Sequence, residues 1–232
     1  MSLINCNGFP VISGELRLPR FGIATGDLTV DTTQDLQGQV TIATDDGSFS
    51  LVGQAYRHGQ FIQKQILRWV AGADGFETVL PPKQYRGRTL RSTLVDTLEA
   101  CGETLSSTSD STLLVLFLTN WVRLSMTAKA AVYALLEAQN AQGFRVLPDG
   151  TIWVSKTEPW PASDATIPFQ IMTWERGEGW ALLGCEQPFL LPGTTIQMDD
   201  GSGNVSTQKI SYVVHSITAE SVRTKIYFED VA

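Results

Sequence analysis

Near the C-terminal end the chain alternates with a period of two. Val222, Thr224, Ile226 and Phe228 fall on one face, and Arg223, Lys225, Tyr227 and Glu229 on the other. That pattern predicts a strand with one buried face, paired in a hairpin with residues 209–218. Further strand-like segments precede it at 167–174, 180–184 and 194–198. The first 75 residues carry five short segments rich in β-branched and aromatic residues, at 11–19, 22–30, 38–44, 48–56 and 61–70. Gly and Asp separate them, which predicts a sandwich or small barrel. A hairpin is predicted at Asp46-Gly47 with a type I′ turn, whose two central residues both need positive φ. A further turn is expected at Arg57-His58-Gly59.

The period changes after Leu80-Pro81-Pro82. Leu90, Leu94, Val95 and Leu98 recur at helical spacing from Thr89, with Gly102 as a stop. Residues 106–111 form a polar break, and the apolar run 113–118 fits helix or strand. A second helix starts at an N-cap, Thr127, and places Ala128, Ala131, Val132, Leu135 and Leu136 on one face, with Gly143 as its expected stop. Phe144 to Leu147 and Thr151 to Val154 then flank Pro148-Asp149-Gly150 as a hairpin. The predicted fold class is α+β, mainly β: two small tube-like β-barrel domains with an inserted α/β domain. The expected division is 1–77, 78–160 and 161–232, with the Pro-rich stretch Glu158 to Pro161 marking the second junction.

Composition adds constraints. Hydrophobic residues make up 43% of the 232, and charged residues 18%; roughly 25% charged is usual. Intrinsic disorder is excluded, because it needs the opposite balance. Seventeen Lys and Arg against 24 Asp and Glu give a net charge of −7, without a basic block. This argues against a nucleic-acid binder held by phosphate neutralisation. The start of the chain lacks the pattern of a secretory signal, and the longest apolar run has six residues, so a soluble protein made in a cytosol is expected. Cys6, Cys101 and Cys185 are read as buried thiols, since their number and spacing fit neither a disulfide framework nor zinc.

A search for chemistry returns little. His58 and His215 are the two histidines, and both read as ordinary surface or strand residues. Asp199 to Asn204 resembles a calcium loop but has Ile210 where the bidentate Glu should stand, so a solvated hairpin loop is expected. No catalytic, cofactor-binding or metal residue is assigned. One cluster suits another class: Trp174, Glu175, Glu178 and Trp180 combine aromatic faces with two acids, as a carbohydrate-binding or peptidoglycan-active β-domain needs, although Arg176 intervenes. Trp69, Trp121, Trp153 and Trp160 are expected in core or interface, with each indole N–H at an edge.

Two regions carry a resemblance. Thr127-Ala-Lys-Ala-Ala-Val-Tyr-Ala-Leu-Leu-Glu-Ala, followed by Gln142-Gly-Phe-Arg-Val-Leu-Pro-Asp-Gly-Thr-Ile-Trp-Val154, resembles part of the baseplate (tail-tip) hub of tailed bacteriophages. That family is related to the hub part of type VI secretion spike proteins. Leu191-Pro-Gly-Thr-Thr-Ile, Val213-Val-His-Ser-Ile and Arg223-Thr-Lys-Ile-Tyr-Phe-Glu are similar to its ending. These stretches cover about a third of the chain, and the order β, α+β, β fits nearly all of it. The resemblance implies a non-enzymatic homotrimer in the virion tail, forming a ring of six similar barrels between a hexameric tail tube and a trimeric central spike. Partners implied are the tube or a tube adaptor, the spike, the tape-measure protein and baseplate wedge proteins, with DNA passing through the ring. Sequence-specific nucleic-acid binding, membrane insertion and lytic activity are not implied. A distal tail ring or tube-terminating protein is a further alternative.

Overall fold

The computed structural model describes residues 4–156, 171–175, 179–183, 190–199 and 205–228. It is mainly β, with 54% strand and 13% helix, and contains a closed six-strand barrel. Six strands build that barrel: β1 (Ile4–Cys6), β2 (Phe9–Pro19), β3 (Thr25–Asp31), β4 (Gly38–Thr44), β5 (Ser50–Phe61) and β6 (Lys64–Ala71). They run in the order β1-β4-β5-β6-β3-β2, and β2 pairs back with β1 to close the ring. Alternation along β2 to β6 sends Leu16, Leu18, Leu28, Val30, Val40, Ile42, Leu51 and Leu67 inward, all at most 4% exposed. The closing strand β1 is absent from the sequence expectation, because three residues cannot display a period.

Gln65 plugs one rim. It is fully buried, its Oε1 accepts Leu36 N–H at 3.2 Å, and its Nε2 donates to the Gln34 carbonyl. These bonds tie the β3–β4 connection across the barrel and satisfy the buried amide.

Two turn expectations change. The β4–β5 hairpin forms, but its turn is not type I′. Only Gly47 has positive φ, at 69°. Gly47 N–H donates to the Thr44 carbonyl at 3.0 Å, and the Asp46 carboxylate accepts Ser48 N–H at 2.9 Å. An Asx-type bond therefore holds Asp46 in ordinary backbone space. His58 is not in a turn but inside β5, where the register to β6 shifts between Arg57 and Gly59. The chain reverses instead between Phe61 and Lys64.

Between residues 79 and 155 lie β7 (Val79–Leu80), β8 (Lys83–Thr89), α1 (Leu90–Glu99), α2 (Ser111–Leu114), β9 (Phe117–Arg123), β10 (Met126–Thr127), α3 (Ala128–Glu137), β11 (Gly143–Val146) and β12 (Ile152–Ser155). Thr89 and Thr127 cap α1 and α3, each accepting the N–H three residues on. The five apolar residues predicted for one face of α3 are all fully buried: Val132, Leu135 and Leu136 in the cluster that holds Leu94, Leu98, Phe144 and Ile152, and Ala128 with Leu80 and Cys101. In α1 the threonines Thr93 and Thr97 are buried beside the leucines, while Val95 is half-buried. Asn140, at φ 53°, ends α3, not Gly143, which opens β11. The ambiguous run 113–118 divides between α2 and β9.

The last described strands are β13 (Ile171–Glu175), β14 (Trp180–Leu183), β15 (Thr195–Asp199), β16 (Val205–Thr218) and β17 (Val222–Phe228). The sheet runs β13-β14-β17-β16, and the first half of β16 pairs β15. The second half pairs β2 in register from Tyr212↔Pro19 to Thr218↔Ser13. One continuous sheet thus joins the closed barrel to the C-terminal strands. Among the described residues no ladder closes that second set.

Candidate assembly surfaces

The sequence-predicted carbohydrate cluster is only partly brought together. In the backbone register of β13–β14, Glu175 stands opposite Trp180 and Trp174 opposite Ala181. Glu178, Trp160 and Cys185 lie outside the described residues. The Trp180 ring is already engaged: Lys225 Nζ lies 4.0 Å from its centroid and 5.0 Å from that of Tyr227. Tyr227 packs edge-on against Tyr212 at 5.6 Å. The same outer face continues across the β16–β2 seam to Arg17, which pairs with Glu15 at 2.5 Å and Asp27 at 3.1 Å. This is a laced surface of cation–π and ion pairs on half-buried strands.

The two histidines occupy unlike settings. His58 is exposed on β5; His215 is fully buried on β16, its Nδ1 2.9 Å from Thr224 Oγ1. Burial pushes the His215 imidazole down to about 3. Cys6 and Cys101 are buried free thiols, and burial raises both, Cys6 to about 12. Among the described residues no group of three or more His, Cys, Asp or Glu could hold a metal ion, and no helix is long and apolar enough to cross a membrane. Trp69 departs from expectation: it is 1% exposed, and its indole Nε1 is buried without a hydrogen-bond partner.

The insert is clamped to the barrel by backbone bonds that sequence could not show. Gly22 N–H donates to the Phe144 carbonyl at 2.6 Å, Val146 N–H to Gly22 at 3.2 Å, and Val52 N–H to Pro148 at 2.8 Å. Glu103, 2% exposed, accepts the N–H groups of Ala73 at 3.1 Å and Gly75 at 2.9 Å. Desolvation still raises its carboxyl above the usual range, because those donors offset burial only in part. Glu103 borders a polar cleft of about 260 Å³ between barrel and insert, with Gln39, Gln54, Asp149 and Thr151. Arg145 sits where barrel, insert and the Leu191–Pro192 segment meet, its guanidinium 4.8 Å over the Trp153 ring.

Large exposed apolar groups gather in two places. Phe61, Ile62 and Ile66 stand at the β5–β6 turn, 68%, 78% and 46% exposed. Phe117 and Val122, with Val115 and Leu124 flanking, lie on the β8–β9 ribbon, beside Arg86 and Arg88. Arg123 anchors that ribbon from within, donating to the Pro81 carbonyl at 3.2 Å and Thr97 Oγ1 at 3.3 Å. The sequence reading missed the first site because Ile62-Gln63 lacks turn residues and reads as continuous strand.

No protein-family profile matches the chain, and no curated protein matches it either. Solved structures do. A tail protein from Neisseria meningitidis MC58 aligns over 98% of this chain and 96% of its own, with TM-score 0.66 and 12% identity. The 43 kDa tail protein of prophage MuSo2 from Shewanella oneidensis aligns over 98% and 97%, with TM-score 0.68 and 9% identity. An E. coli type VI secretion component, described as structurally similar to the T4 bacteriophage tail proteins gp27 and gp5, aligns over 99% of this chain and 77% of its own, with TM-score 0.68 and 11% identity. At these identities the likeness is one of fold, and it spans nearly the whole chain: the protein has the fold of phage tail proteins and their type VI secretion counterparts.

Proposed function

We propose that this chain is a structural component of a phage tail baseplate: a hub whose three copies form a ring between the hexameric tail tube and the trimeric central spike. The observation that carries the reading is the architecture itself. A closed barrel is fused through the β2–β16 ladder to a second strand set, with a mixed insert between them, and that arrangement aligns end to end with tail proteins. The proposed division remains 1–77 and 161–232 for the two tube-like domains and 78–160 for the insert. The outer face of paired cations, aromatics and carboxylates gives subunits a surface to bury without a large apolar patch. A net charge of −7 suits a lumen through which DNA slides without sticking. The role is non-enzymatic, in the virion tail, with tube or tube adaptor, spike, tape-measure and wedge proteins as partners.

The test is reconstitution. The chain is mixed with the tube and spike proteins of its own phage, and the products are measured by light scattering and negative-stain imaging. Rings of three copies capped by both partners are the expected result. A chain that stays monomeric and forms no ring with either partner overturns the proposal.

A further inference from the structure

The β8–β9 ribbon has two open edges. Among the described residues β8 and β9 pair with each other alone, and an unpaired edge is a template for contact with another chain. The inner side of the ribbon is committed. Tyr85 packs on Trp121 at 5.5 Å and donates to Asp96 at 2.6 Å, while Arg123 reaches Pro81 and Thr97. The outer side is not. Phe117 is 66% exposed and Leu124 62%, and Val79, Val115 and Val122 are exposed as well. Five of the nine large apolar groups exposed among the described residues thus fall between 79 and 124, a concentration that solvation alone does not call for.

Charge indicates what covers them. Arg86, Arg88 and Arg91 are exposed on β8 and the first turn of α1, and none of them makes an ion pair among the described residues. The Gln84 amide lies 3.0–3.1 Å from the Arg86 guanidinium, and Leu118 stands opposite Arg88, so these neighbours are neutral. Asp96, the first acid after them in the chain, is taken up by Lys83 and Tyr85. No acid occurs at 78–95 or 111–136, the stretches that contain both strands. Cations guard an open edge against a like-charged neighbour, so ribbon-to-ribbon pairing about a two-fold axis is disfavoured. The rest of the molecule has the opposite sign. Residues 78–160 hold eight Lys and Arg against seven acids, whereas the remaining residues hold nine against 17. A second copy therefore meets this ribbon favourably through its strand domains and unfavourably through its own ribbon. Such a contact joins unlike surfaces head to tail, and it closes into a ring when the rotation permits. A nucleic-acid backbone would use the arginines but leave the apolar groups in water. We infer that the β8–β9 ribbon docks on the acidic strand domains of a neighbouring copy, burying Phe117, Val122 and Leu124 with the three arginines at the rim. The inference rests on the reading that copies of this chain assemble with one another, and it names the element through which they do so.

The test uses sedimentation, photo-crosslinking and oligonucleotide binding with the full chain. Arg86→Glu combined with Arg88→Glu should keep the Tm, since both side chains are exposed. It should weaken self-association by about tenfold or more and flatten its salt dependence. Leu124→Gln should weaken association while leaving the salt dependence as it is, a split that general misfolding would not produce. p-Benzoylphenylalanine in place of Phe117, in mixtures of isotopically light and heavy chains, should crosslink to residues 1–77 or 161–232 of another copy. Wild type that associates while these variants associate equally well sinks the ribbon and leaves the hub reading standing. Crosslinks to the ribbon of the other copy overturn the inference too. So does a double variant that associates like wild type but has lost binding to a single-stranded oligonucleotide. Wild type that neither associates nor crosslinks at millimolar concentration also overturns it, and the hub reading is then decided separately by mixtures with tube and spike.

Discussion

Nδ1 of His215 lies 2.9 Å from Oγ1 of Thr224, across the β16–β17 ladder and inside the core. The Leu190 backbone also acts on the ring, which therefore lies between β17 and the segment that leads into β15. A neutral imidazole serves these contacts, and burial disfavours the cation.

Acid should therefore loosen the C-terminal strands. The folded value of about 3 lies below the ordinary 6.5, so between those values the unfolded chain binds the extra proton. The contribution is complete above pH 6.5 and is lost as pH falls toward 3, by at most about 1.4 kcal/mol per pH unit. Chemical denaturation of wild type and His215→Gln from pH 7 to pH 4 measures it. The variant should show the flatter dependence; parallel curves would show that His215 does not titrate with unfolding.

Glu103 should respond with the opposite sign. Its folded carboxyl is raised, so the folded state holds the proton longer. Its stabilisation is fullest below the ordinary value near 4.5 and declines as pH rises through the raised one. Glu103→Ala leaves the N–H groups of Ala73 and Gly75 without their acceptor, at a cost of about 1–3 kcal/mol. The gap between wild type and variant should be wider at pH 4 than at pH 7. Gly75→Ala is the harsher change, because a Cβ there would overlap the Cys101 carbonyl. We expect it to cost about 3 kcal/mol or more by urea denaturation.

A third site tests barrel packing. Gly53 on β5 lies against the indole of Trp69 on β6, and a Cβ would stand 2.5 Å from Nε1 and strike the Val70 carbonyl. Gly53→Ala should destabilise by about 1–3 kcal/mol through overpacking and shift the near-ultraviolet signal of Trp69. Unchanged stability would mean that the indole has room to move.

The legible parts of this molecule are those where one short segment carries its own instruction. The α3 face is an example: its period is visible in ten residues, and Ala128, Ala131, Val132, Leu135 and Leu136 are all buried. The β17 alternation holds for Val222 to Ile226 for the same reason. What stayed hidden depends on partners distant in sequence. Cys6 meets Ile42, Tyr212 meets Pro19, and Gly22 meets Arg145, and no local pattern announces any of them. The turn at Ile62-Gln63 was hidden for another reason, since its residues contradict the conformation they adopt. The surface aromatics near Trp180 were visible as a cluster, but only the register separates Trp174 from Trp180 and brings Lys225 over the ring.

Barrel closure itself can be watched through one thiol. Cys6 sits on β1, which holds the barrel shut with two residue pairs to β2 and three to β4. Its thiol is buried and raised to about 12, so it should resist iodoacetamide at pH 8 until β1 opens. Ile4, fully buried on the same strand, anchors it. Ile4→Ala should weaken that anchor by about 2–5 kcal/mol and accelerate Cys6 labelling by at least tenfold. Cys101, in the insert, should label no faster if the opening is confined to β1. Peptide-level mass spectrometry separates the two thiols. Equal acceleration at both would mean that β1 opens only with the whole chain, which would make closure of the barrel inseparable from global folding.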